Sequence, residues 1–353
     1  MITEKTLRKM ATLGKTMLKA AAILALAATM GGSSALRGQV LTTVAQNGTF
    51  YSNAIIAQDA PDPSCMKADD GFYYLYATGS RINIWRSKNM VNWSRIGTAF
   101  TDQERPTFVK GVNSYWAPDI NRIGDKYVLY FAMSKWGGID SCGVGVAVAD
   151  KPMGPFKPVG GDGKLFTSYE IGVTNSIDPF YIEDDGHKYL FWGSFHGIYG
   201  IELSDDGLSI KEGANKVKIA GSAYEGAYIY KKDGYYYFFG STGSCCSGAN
   251  STYQTVIARS SKLFGPYLNK AGETLLNNKH EVLIKGNDFW AGTGHNAELI
   301  EDNDGTTWIP YHAYKKSAPG VGRMVLLDRV DWKNGWPVVK DTSPSNQSAK
   351  PNL

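Results

Sequence analysis

An all-β fold, a five-bladed β-propeller, is the architecture that this 353-residue sequence predicts. Three observations predict it. A turn-and-strand pattern recurs five times, helical periodicity is nearly absent beyond the first 35 residues, and aromatic residues make up 12% of the chain.

The first 35 residues read as a leader rather than as part of the fold. Lys5, Arg8, Lys9, Lys15 and Lys19 form a basic start, Ala20 to Met30 is an almost unbroken apolar run, and Ser33-Ser34-Ala35 has the small-x-small form that signal peptidase accepts. The run is too short to span a bilayer as a finished helix. A cleaved secretory signal is therefore expected over residues 1–35, with an uncleaved anchor as the alternative. No cysteine follows the apolar run where a lipid anchor would need one. The mature chain is expected in the periplasm or outside the cell, as a monomer without stable membrane insertion. Of 37 basic and 33 acidic residues, five bases and one acid (Glu4) fall in the leader, leaving 32 of each. Such a balance lacks the concentrated positive surface that nucleic acid requires, and it suits a neutral polymer such as a polysaccharide.

Residues 36–340 are expected to form the propeller as one domain, since no linker-like stretch divides them, and 341–353 a loose polar tail. Each blade is announced by a tight turn and a run of strand formers. Asp70-Gly71 precedes Phe72–Tyr76, Gly124-Asp125 precedes Lys126–Tyr130, and Asp185-Gly186 precedes His187–Phe191. Asp233-Gly234 then precedes Tyr235–Phe239, and Asp304-Gly305 precedes Thr306–Tyr311. The turn pairs supply the positive φ of a hairpin, and the aromatic and β-branched residues favour strands. The turn glycines lie 48 to 71 residues apart, room for one four-stranded sheet each. A plain β-sandwich is the alternative, but it needs no set of five similar hairpins.

The repeat leads to the chemistry. Eight to ten residues before the turn glycines stand Asp62, Trp116, Asp178, Glu225 and His295. The first strand of each propeller blade runs along the central axis, so equivalent positions converge at one mouth of the channel. Taken singly, an Asp before Pro is a common turn former and a lone Glu or His is commonly a solvated or locally bonded side chain. In a shared register they bring three carboxylates to a narrow axis, which is costly unless they serve a purpose. Three such groups suit glycosidic bond cleavage, where one acid protonates the leaving oxygen and a second carboxylate works on the opposite face. Crowding of like charges raises at least one pKa and keeps a carboxyl protonated near neutrality.

Eight short stretches occur in an order that resembles glycoside hydrolase family 43, and within it the endo-α-1,5-L-arabinanases. They are Asp62-Pro-Ser64, Trp116-Ala-Pro-Asp119, Asn175-Ser-Ile-Asp-Pro179, Trp192-Gly-Ser-Phe195, Tyr224-Glu-Gly-Ala-Tyr228, Cys245-Cys-Ser-Gly-Ala-Asn-Ser-Thr-Tyr253, Gly294-His295 and Trp332-Lys-Asn-Gly-Trp-Pro337. The resemblance implies roles. Asp62 is the general base that activates water, Glu225 the general acid, and Asp178 the group that orients Glu225 and keeps its pKa high. It implies inversion of configuration, with base and acid about 6.5–9.5 Å apart. It implies a calcium ion near the channel centre, held partly by His295 and largely through water. Trp116, Asn175, Ser176, Ile177, Ser194, Phe195 and His196 match positions at the sugar cleft, and Arg323 a cleft arginine. Pro61 and His196 depart from the pattern, standing where arabinanases often carry histidine and tryptophan. Both border the sugar site, so exo action, as an α-L-arabinofuranosidase or β-xylosidase, is the alternative activity. A non-catalytic carbohydrate-binding propeller is the alternative of another class.

Four cysteines remain: Cys65, Cys142, Cys245 and Cys246. Adjacent Cys245 and Cys246 are not expected to bridge each other, and mostly free, packed thiols are expected. No C-x-x-C spacing marks a zinc site.

Overall fold

The computed structural model describes residues 48–353, so the expected leader lies outside the described residues. Five antiparallel blades follow one another along the chain, the last two joined through a parallel contact between Gln254 and Thr293 into one nine-stranded sheet. Blade I is built from Ser64–Lys67, Tyr73–Ala77, Asn83–Ser87 and Trp93–Thr98. Blade II takes Tyr115–Ile123, Lys126–Met133, Gly143–Ala149 and Lys164–Thr167, with the short Lys157–Pro158 added at its side. Blade III takes Phe180–Asp184, His187–Trp192, Ile198–Glu202 and Val217–Ala220. Blade IV takes Glu225–Lys232, Tyr235–Thr242, Gln254–Ser260 and Glu281–Ile284. Blade V takes Ile300–Glu301, Thr307–Lys315, Arg323–Lys333 and Trp336–Val338, and Trp290–Gly294 pairs with the far end of its second strand. All five expected turns join the first strand of a blade to its second. At Asp185-Gly186 and Asp233-Gly234 both residues take positive φ, the hairpin geometry in which only glycine and small polar residues are at ease.

Aromatic residues explain how the sheets stack. One cluster joins blades I and II through Tyr74, Tyr76, Phe100, Tyr115 and Phe131. A second joins II and III through Tyr130, Tyr181 and Trp192, and a third joins III, IV and V. A fourth packs Trp85 and Trp93 of blade I on Trp308 and Val325 of blade V. Each sheet thus buries both faces against neighbours and the sequence of interfaces returns to its start, which is why strands such as Tyr73–Ala77 lack alternation. Backbone bonds tie the seam: Ile55 and Ile56 donate to Val325 and Ala60 donates to Arg323. Among the described residues no helix is long and apolar enough to cross a membrane.

The C-terminal segment corrects the expectation of a loose tail over 341–353. Gln347–Ala349 pairs antiparallel with Phe50–Ser52, joining the two ends of the described chain. The Asn53 amide donates to Ser345, the Trp290 indole donates to Asn346, and Asn352 bonds to Asp302 and Asp304. The polar residues that read as loop-like here supply hydrogen bonds to a seam that would otherwise leave backbone groups unpaired.

Candidate active site

At the channel mouth each blade carries one left-handed residue: Asp62 (φ 53°), Ala117 (41°), Asp178 (58°), Gly226 (57°) and His295 (48°). Such angles cost a residue with a Cβ roughly 1–3 kcal/mol each, and they concentrate at functional sites. They turn the chain sharply where it enters the blade and aim side chains at the axis. The equivalent positions are therefore Ala117 and Gly226, one residue beyond the expected Trp116 and Glu225. Both strands carry a bulge there, between Trp116 and Asp119 and between Glu225 and Tyr228. A bulge re-aims the preceding side chain, so Trp116 faces the cleft beside the axis and Glu225 still reaches the site. Glycine suits 226, because a Cβ would lie 3.0 Å from the His295 ring, closer than side chains normally approach.

The three carboxylates meet as expected and all are buried. Asp62 lies among cations and donors. Arg323 donates to one of its oxygens at 2.7 Å and the Thr78 hydroxyl to the other at 2.7 Å. The rings of His295 and His312 lie 3.5 and 3.4 Å away. Burial alone would raise this carboxyl, but Arg323 foremost, with the Thr78 hydrogen bond, holds it well below the usual carboxylate range. Both histidines are pushed toward neutrality by burial, so the permanent positive charge is that of Arg323. Asp62 stays ionised.

Glu225 and Asp178 have the opposite character. Burial raises Glu225, and the negative charge of Asp62 adds to it. Burial raises Asp178 still more clearly, with Glu225 and Asp62 adding to it and the Gly226 amide, 3.1 Å away, opposing it. This pair retains a proton above the ordinary carboxyl range. Ser194 donates to Glu225 Oε2 at 2.7 Å and itself accepts from Asn175 at 3.0 Å. With Oε2 so engaged, Oε1 is the oxygen left to carry the proton. The site holds one base that ionises easily and one acid that does not, which is the pairing that general acid–base catalysis uses.

A cleft of about 600 Å³ opens over these groups. Trp116, Asn175, Ile177, Ser194, Phe195, Arg323 and His295 line it, as expected. Two expected contacts are not there. Ser176 is fully buried, bonding Val173 and accepting from the Trp192 indole, so it supports the loop from beneath. His196 is exposed beyond Phe195 and does not line the cleft. Several lining residues were not anticipated. Trp136, 78% exposed, and Ile139 stand on the rim from blade II. The facing rim carries Cys245 and Cys246, which are joined as a disulfide. That bond corrects the expectation of free thiols at these two positions: hydrogen bonds among Ser244, Ser247 and Ser251 fold the loop around them. Cys65 and Cys142 are free and buried.

Below the carboxylates a small axial cavity of about 20 Å³, room for roughly one water or ion, is lined by Asp119, Asp178, His295, Asn296 and Glu298. Asn296 Oδ1 is buried there without a partner. Burial raises the Asp119 carboxyl and the charge of Glu298 raises it further. Among the described residues no three His, Cys, Asp or Glu side chains come together as a metal cage. The donor set fits only a hard cation that keeps most of its water.

Comparison with known proteins agrees with this site. The model of glycosyl hydrolases family 43 matches residues 51–337. An extracellular exo-α-(1→5)-L-arabinofuranosidase of Cellvibrio japonicus is 34% identical, over 80% of this chain and 87% of its own. An extracellular endo-α-(1→5)-L-arabinanase of Bacillus subtilis is 31% identical, over 78% and 86%. The structure of a Cellvibrio cellulosa α-L-arabinanase complexed with arabinohexaose superposes with a TM-score of 0.73 at 30% identity, covering 81% of this chain and 97% of that one. The chain belongs to glycoside hydrolase family 43.

Proposed function

We propose that this enzyme hydrolyses α-1,5-linked L-arabinan with inversion, acting within the chain, after export from the cytoplasm. The observation that carries the reading is the opposed character of two buried carboxyls facing one cleft, Asp62 ionised beside Arg323 and Glu225 protonated beside Asp178. Asp62 accepts a proton from water as that water attacks the anomeric carbon. Glu225 gives its proton to the leaving oxygen on the opposite face. Asp178 bonds the Gly226 amide and, by its position, keeps Glu225 protonated. Trp116 and Phe195 supply apolar faces for furanose rings, and Asn175 an amide at the cleft wall. A purely binding propeller gains nothing from burying three carboxylates.

The relatives carry both exo and endo names, and a cleft of about 600 Å³ has room for more than one pentose residue of a linear chain. Calcium is part of the proposal: His295 and the unpartnered Asn296 Oδ1 would hold it, with water completing the shell. When bound it would add positive charge beneath the acid–base pair. Digestion of linear arabinan, arabinoxylan and xylan, each with and without a chelator, tests the reading. Early release of arabino-oligosaccharides from linear arabinan is expected, with slower turnover after chelation. Arabinose alone from the first minutes would make the enzyme exo-acting, and binding of arabinan without new reducing ends would make it a binding protein.

A further inference from the structure

We infer that His312, a residue outside the eight matching stretches, is a positioning residue that fixes the backbone of Asp62 by accepting its amide hydrogen. The inference rests on the reading of Asp62 as the general base.

Asp62 sits at a left-handed φ of 53°, outside any strand. The Nδ1 atom of His312 accepts the Asp62 N–H at 3.1 Å. His312 comes from the second strand of blade V, Thr307–Lys315, where it pairs with Gly294 and Val325. On that strand Ile309, Tyr311 and Ala313 pack into the cluster shared with blade IV, while Trp308 packs on blade I. Strand alternation then turns His312 toward blade I, where Asp62 waits.

The protonation of the ring follows from the bond. An Nδ1 that accepts must be bare, so the hydrogen of the neutral ring is on Nε2. Nε2 is buried and has no partner, and the side chain is wholly inaccessible to solvent. A phenylalanine would suit such a place better if packing were all that mattered. Histidine leaves one nitrogen unsatisfied there, and what it contributes in exchange is the acceptor for Asp62. The ring is also held in plane. Tyr253 stacks on it with centroids 5.6 Å apart and 13° between planes, and Gly294 admits the tyrosine because a Cβ would lie 2.3 Å from its ring. The Tyr253 hydroxyl is buried without a well-formed hydrogen bond, in the neighbourhood of Glu225 and Ser241. The stacked rings thus link the backbone of the base on blade I to Tyr253 on blade IV. Small displacements of a base relative to its water are expensive in rate and cheap in affinity.

The test compares three proteins on whichever glycan the wild type cleaves. His312→Phe keeps the ring stack and removes the acceptor. His312→Asn loses the stack but places an amide oxygen near the Nδ1 position. For H312F, kcat is expected to fall about 100-fold with KM within about threefold, whereas H312N is expected to keep kcat within about fivefold of wild type. Melting temperatures of both variants, read by circular dichroism, are expected to stay near wild type. H312F with wild-type kcat overturns the inference, as does H312N falling as far as H312F, since the acceptor would then not be what counts. A wild-type chain that cleaves no glycan refutes the reading of the site, and the inference with it.

Discussion

Replacing Glu225 by glutamine is expected to lower kcat/KM on an unactivated glycan by about 10³-fold while leaving substrate affinity within about threefold. The amide keeps the size of the side chain and the acceptor that Ser194 donates to, but it has no acidic proton for the leaving oxygen. Two further readouts identify the loss as that of an acid. The deficit should shrink on a substrate whose activated aryl leaving group departs without protonation. The alkaline limb of the pH profile should also change. In the wild type, burial and the Asp62 charge hold the Glu225 proton above the ordinary range, so activity is lost as pH rises through that raised pKa. In Glu225→Gln that limb has no group to report. Initial rates on both substrates across pH, with binding followed by calorimetry, check this.

Asp62→Asn is expected to cost at least about 10³-fold in kcat, and here an activated leaving group should give no rescue, because water must attack in either case. The two variants therefore separate by leaving-group dependence even if their losses are alike. Stability should separate them too. Arg323 is partly buried, its side chain 17% exposed, and its guanidinium faces Asp62 at 2.7 Å, so removing the carboxylate charge takes away its ion-pair partner, a change that costs up to about 3–5 kcal/mol for a fully buried pair. Thermal unfolding should show D62N clearly less stable than wild type and E225Q close to it.

The repeat was legible because its signal is local. A turn pair followed by aromatic strand formers is a short-range pattern, and in all five blades it joins the first strand to the second. The register of the channel was legible only to one residue. Counting back from the turns cannot see a bulge, and bulges at Trp116 and Glu225 shifted the equivalent positions to Ala117 and Gly226. His312 was invisible for a different reason. It is a lone histidine in the middle of a strand, and its partner is 250 residues away, across the seam where blade V meets blade I. The alternation of Trp308, Pro310, His312 and Tyr314 marks the face it occupies but not what that face meets. Ser176 and His196 illustrate the converse. Ser176 stands inside a matching stretch and His196 directly follows one, yet one faces the core and the other open solvent, since a motif records adjacency along the chain and not the direction of a side chain. The polar C-terminal segment misled through composition: its Asn and Ser residues bond to a seam rather than to water.

The stereochemistry of the first-formed product tests the account most directly, because inversion requires that Asp62 activate water rather than attack the sugar. Proton NMR of linear α-1,5-arabino-oligosaccharides, followed from mixing and ahead of mutarotation, is expected to show the β-anomer at the newly formed reducing end. Early appearance of the α-anomer would contradict the account, since it would require a covalent intermediate and a nucleophile in place of the general base.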